Sequence, residues 1–73
     1  MIKVFTEEFQ AMKRNAEMIL NKPLRNDEVE RLETSDLRSI VENKTYSSDL
    51  ERIKGEQRLK GYIKAKNVYY GGH

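Results

Sequence analysis

The sequence predicts an all-α fold: a small domain of three or four short helices. Three observations predict it. Apolar residues recur at helical spacing over residues 6–21, capping residues stand at Thr6, Asn26, Asp27 and Ser48, and the single proline, Pro23, falls where the first pattern ends.

The first helix is expected over residues 6–21. Phe5, Phe9, Met12, Ala16, Ile19 and Leu20 follow one another at steps of 4, 3, 4, 3 and 1, which keeps them on one face of a 3.6-residue period. Thr6 can accept a hydrogen bond from the first free amides, and Glu7 and Glu8 suit the positive N-terminal end of a helix. Asn21-Lys22-Pro23 ends the pattern, because proline lacks a donor and disfavours α geometry in the preceding residue.

The second helical stretch covers residues 26–43, with Val29, Leu32, Leu37, Ile40 and Val41 as its apolar residues. The five-residue step from Leu32 to Leu37 breaks the stripe, and Glu33-Thr34-Ser35-Asp36 supplies cap residues at the break. Two helices, 27–33 and 35–43, satisfy this pattern as well as one bent helix. Residues 43–46 read as a connection.

The third helix opens at Ser48-Asp49-Leu50-Glu51, where Ser48 and Glu51 have capping-box spacing. Leu50 and Ile53 share one face, whereas Leu59, Tyr62 and Ile63 fall about half a turn away. Either the helix bends at Gly55, or it is amphipathic on two faces. The ends allow another reading, α+β, in which residues 1–5 pair with residues 67–70 as a short two-stranded ribbon. Residues 71–73 are expected to fray, and residues 1–73 form one small domain.

A chain of 73 residues has a thin core. With no Cys and one His, disulfides and a structural metal are closed to it, and partner binding or oligomerisation remains as a source of stability. The absence of Cys, of an 18-residue apolar run and of a secretory h-region points to the cytoplasm, with no membrane association.

Signatures of catalysis are missing. His73 follows two glycines at the chain end, where no base is held in place. Gly55 and Gly61 lack phosphate-loop spacing, and the acids Glu28, Glu30, Glu33 and Asp36 lack the order of a calcium loop. The expectation is a non-enzyme with no cofactor, no metal and no small-molecule substrate.

Two surfaces are candidates for binding. Residues 1–46 hold 8 Lys/Arg and 9 Asp/Glu, while residues 47–73 hold 6 and 3. Arg52, Lys54, Arg58, Lys60, Lys64 and Lys66, against Glu56 alone, suit a nucleic-acid backbone or an acidic protein. Arg52-Ile53-Lys54-Gly55 recurs six residues on as Arg58-Leu59-Lys60-Gly61. That spacing spreads basic groups around a helix and forms no single stripe. Leu59, Tyr62, Ile63, Tyr69 and Tyr70 form the apolar candidate, either as a docking face or as the closing wall of the domain's own core. The favoured function is a small regulatory or accessory protein that binds another protein or a second copy of itself. The alternative is a nucleic-acid-binding accessory protein using residues 52–66.

Overall fold

The computed structural model describes residues 6–71. They form four helices: α1 (Glu7–Leu20), α2 (Asn26–Arg31), α3 (Thr34–Asn43) and α4 (Asp49–Gly71). The described residues contain no strand.

α1 starts and ends on local chemistry. The Phe9 amide donates to Thr6 Oγ1 at 3.2 Å, satisfying one of the four amides that a helix leaves open. At the other end Asn21 takes the left-handed conformation, with φ 57°, which Asn tolerates better than most residues. The Lys22 amide then reaches back to the Glu17 carbonyl at 3.2 Å. The Glu17 side chain also acts here, since its Oε2 accepts from the Leu24 amide at 2.8 Å and ties the loop around Pro23 to α1. Glu17→Ala is expected to lower stability by about 1 kcal/mol, the usual worth of such a bond, without loss of helicity. Urea melts followed by circular dichroism measure it, and an unchanged midpoint refutes the tether.

The break between α2 and α3 follows the interrupted stripe. Leu32 and Glu33 are extended, and the Glu33 carbonyl accepts from Asp36 and Leu37 to start α3. Two short helices therefore form, and the single bent helix does not.

α4 is one uninterrupted helix of 23 residues, about 34 Å long at 1.5 Å per residue. It spans most of a molecule measuring 41 × 24 × 18 Å. The helix continues without a break through Gly55. The ribbon does not form, because residues 67–70 are helical; residues 1–5 lie outside the described residues. Gly71 is the last residue of α4, and residues 72–73 lie outside the described residues.

The core is a single cluster drawn from all four helices. α1 lies antiparallel along α4. Phe9 meets Tyr69 with ring centroids 5.3 Å apart, and Asn15 faces Gly61 further along. Phe9, Met12, Ala16 and Ile19 supply the α1 side, as the spacing predicts. Leu24, Val29, Leu37 and Val41 close the cluster, with Leu59, Tyr62 and Ala65 from α4.

The inward stripe of α4 runs Gly55, Leu59, Tyr62, Ala65, with Tyr69 packed against it. Both small residues belong to it, and they carry the stripe past the point where the large apolar residues change sides. At Gly55 an added Cβ would lie 2.7 Å from Tyr46 Oη, and at Gly61 it would lie 3.1 Å from Asn15 Nδ2. The repeated basic-apolar-basic-glycine motif thus marks two close approaches. By contrast Leu50 and Ile53 face solvent, 60% and 42% exposed.

Candidate functional site

The two sets of candidate residues interleave along α4 and divide by burial. Of the apolar set, Leu59 and Tyr62 are interior, the latter with no exposed surface. Tyr62 therefore offers no surface to a partner, and Leu59 offers only the small part that lines a groove beside α4. Tyr69 is packed against the core on Phe9. Tyr70 is 55% exposed and stands edge-on to Tyr69 at 4.8 Å. Ile63 is half-buried, one flank on the core and the other open.

Burial acts on the hydroxyls as well. Desolvation, with a smaller contribution from Tyr70, pushes the Tyr62 pKa up from 10.0 to about 12. Tyr70 is also raised, by desolvation first and then by Tyr69 and Glu30.

The basic set is divided by its partners. Arg52 pairs with Glu56 at 3.5 Å and with Asp49 at 3.9 Å, and Lys54 pairs with Glu51 at 3.7 Å. Lys66 turns inward: its Nζ donates to the Leu32 carbonyl at 3.3 Å and lies 5.6 Å from the Tyr62 ring centre. It thereby caps a carbonyl freed by the α2–α3 break. Arg58, Lys60 and Lys64 have no ion pair among the described residues. Arg58 borders a crevice beside Met18 and Ile19, while Lys60 borders the opposite side of α4. The segment therefore presents no continuous basic stripe.

One concave feature of this surface lies between α3 and α4. It is an open groove of about 540 Å³. Its floor is apolar, made by Val41, Leu59 and the open flank of Ile63. Arg38, Lys44 and Lys60 stand on its rim with no ion pair among the described residues, and Glu42 is there too. The groove exists because α4 packs mainly along α1, so that the shorter α3 covers only part of its other flank.

Tyr46 sets the end of the groove. Its hydroxyl donates to the Val41 carbonyl at 3.0 Å, and its ring rests on Gly55. Lys44 Nζ lies 5.7 Å from the ring centre. Sequence reasoning assigns Tyr46 only to a connection. The signal that points to it is Gly55, since glycine inside a helix marks a site where another group comes close.

Among the described residues no group of three or more His, Cys, Asp or Glu is placed to hold a metal ion. No helix is long and apolar enough to cross a membrane. Compared with protein-family models, curated proteins and solved structures, the chain matches none.

Proposed function

We propose that this protein is a small, non-catalytic regulatory or accessory protein of the cytoplasm that acts by binding another protein. The α3–α4 groove receives the partner. Its apolar floor takes an aliphatic anchor, and the rim cations Arg38, Lys44 and Lys60 meet acidic residues flanking that anchor. One observation carries the reading: an apolar trough edged by cations that have no ion pair among the described residues. Such an arrangement suits an amphipathic, acid-flanked protein segment.

A tagged chain and its Lys44→Glu/Lys60→Glu variant test it, in pull-downs with and without nuclease. The native chain is expected to retain a protein after nuclease treatment, and the variant to bind it five- to thirty-fold more weakly. That is the effect of about 1–2 kcal/mol when two exposed charge contacts are reversed. Capture that nuclease abolishes, and that Arg58→Glu weakens equally, replaces this reading with nucleic-acid binding.

A further inference from the structure

The start of α4 has no role in the core. Residues 49–54 are all exposed, yet the turn is well made, with the Glu51 amide donating to Ser48 Oγ at 3.3 Å. Ile53 stands 42% exposed on it. The residues continuing its line along α4 are spaced by four, three, four, three and four: Asp49, Ile53, Glu56, Lys60, Ile63 and Asn67. This is the spacing of a seam between two packed helices, and it holds one line along the length of the helix. Five of the six are exposed and Ile63 is half-buried. Glu56, Lys60 and Ile63 also form the α4 lip of the groove.

The order along the seam is self-complementary. Laid antiparallel on a second α4, about a two-fold axis at the level of Arg58, Ile53 faces Ile63 of the other copy. Glu56 then faces Lys60, and Asp49 faces Asn67. The two-fold repeats each pair, as an isologous interface requires. Apolar meets apolar, acid meets base and a carboxylate meets an amide donor, with no like charges opposed on the seam. The parallel arrangement would instead set Glu56 against Glu56 and Lys60 against Lys60.

We infer that the partner at this lip is a second copy of the chain, joined through an antiparallel α4–α4 seam. This rests on the protein-binding reading above and names its partner: the first half of α4 is itself an aliphatic anchor flanked by acids. Glu56 already pairs with Arg52, but both side chains are about half exposed, so the pair exchanges readily for an intermolecular one.

Light scattering of the full chain at concentrations up to about 1 mM is expected to show a dimer. Glu56→Lys and Lys60→Glu, each changing two symmetry-related pairs, are each expected to weaken it by about tenfold or more. Mixing the two single variants is expected to restore association as a heterodimer. At one of the two pairs the substituted lysine then meets the substituted glutamate, and at the other the native Glu56 and Lys60 meet. Ile53→Glu, on the segment outside the core, is expected to be a folded monomer by circular dichroism. A native chain that stays monomeric overturns the inference, as do single variants that dimerise unchanged or a mixture that fails to associate. A monomeric chain whose capture of a different protein still depends on Lys44 and Lys60 overturns only the second copy and leaves the groove reading in place.

Discussion

Tyr62→Ala is expected to cost the protein a large part of its stability at neutral pH, about 3–5 kcal/mol. The ring is the largest side chain with no exposed surface, and it touches the core between α1 and the α2–α3 break. Truncating a buried aromatic residue to alanine costs about 3–5 kcal/mol, from lost transfer and the cavity left behind. A domain of 73 residues has a total of about 4–11 kcal/mol at the usual stability per residue. The variant also removes the ring beneath Lys66. Urea unfolding at pH 7 measures the loss, and a drop of less than about 2 kcal/mol contradicts the central place given to Tyr62.

Tyr62→Phe separates the ring from its hydroxyl. The hydroxyl lies 3.5 Å from the Leu32 carbonyl, at the limit of a hydrogen bond, so its removal is expected to cost under about 1 kcal/mol at pH 7. Alkaline pH makes the difference. In the unfolded chain the hydroxyl ionises near its ordinary pKa of 10.0, whereas in the fold it keeps its proton until about 12. The folded state therefore binds more protons over that interval, and stability falls as pH rises through it. The contribution is complete below pH 10 and is lost by about pH 12, on the order of 2–3 kcal/mol. Tyr62→Phe lacks the group, so its stability is expected to fall less steeply than the native chain's above pH 10. Parallel alkaline limbs refute the assignment.

The second large effect concerns Gly55. A valine there is expected to expel Tyr46, because any Cβ would stand 2.7 Å from its hydroxyl oxygen and 3.2 Å from two ring carbons. Expulsion breaks the bond to the Val41 carbonyl and exposes much of the ring, a loss of about 2–3 kcal/mol. Relief from glycine's low helix propensity returns only about 0.5 kcal/mol. The net fall is about 2 kcal/mol, or roughly 10 °C in Tm for a domain of this size. The effect depends on Tyr46. With Tyr46→Ala in place the clash is gone, and Gly55→Ala is expected to stabilise α4 by up to about 1 kcal/mol. A double-mutant cycle tests this coupling, and additive changes contradict the contact.

How far each helix is legible in the sequence depends on how local its causes are. α1 is readable almost to the residue, because periodicity, the Thr6 cap and the stop before Pro23 act within a turn of one another. The Leu32-to-Leu37 gap marks the α2–α3 break but leaves two outcomes open. α4 is misread in its middle when the large apolar residues alone are followed, because Gly55 and Ala65 carry the stripe there. The ribbon at the ends rests on the β propensity of Val68, Tyr69 and Tyr70, and burial of Tyr69 on Phe9 overrides that preference.

The candidate site is legible in its chemistry and not in its placement. The basic residues stand out in the chain, but their order does not show that Lys66 is used internally or that Lys60 stands at a groove. By itself the sequence determined a largely helical fold, both ends of α1, the start of α4 and the absence of a single basic stripe, since caps and a 100° turn per residue need only near neighbours. Only the tertiary structure decided which face of α4 turns inward, that Leu59 and Tyr62 are core, and that a groove opens beside Ile63. Those outcomes come from contacts between residues far apart in the chain, such as Tyr46 on Gly55 and α1 along α4, which leave no periodic trace in either partner.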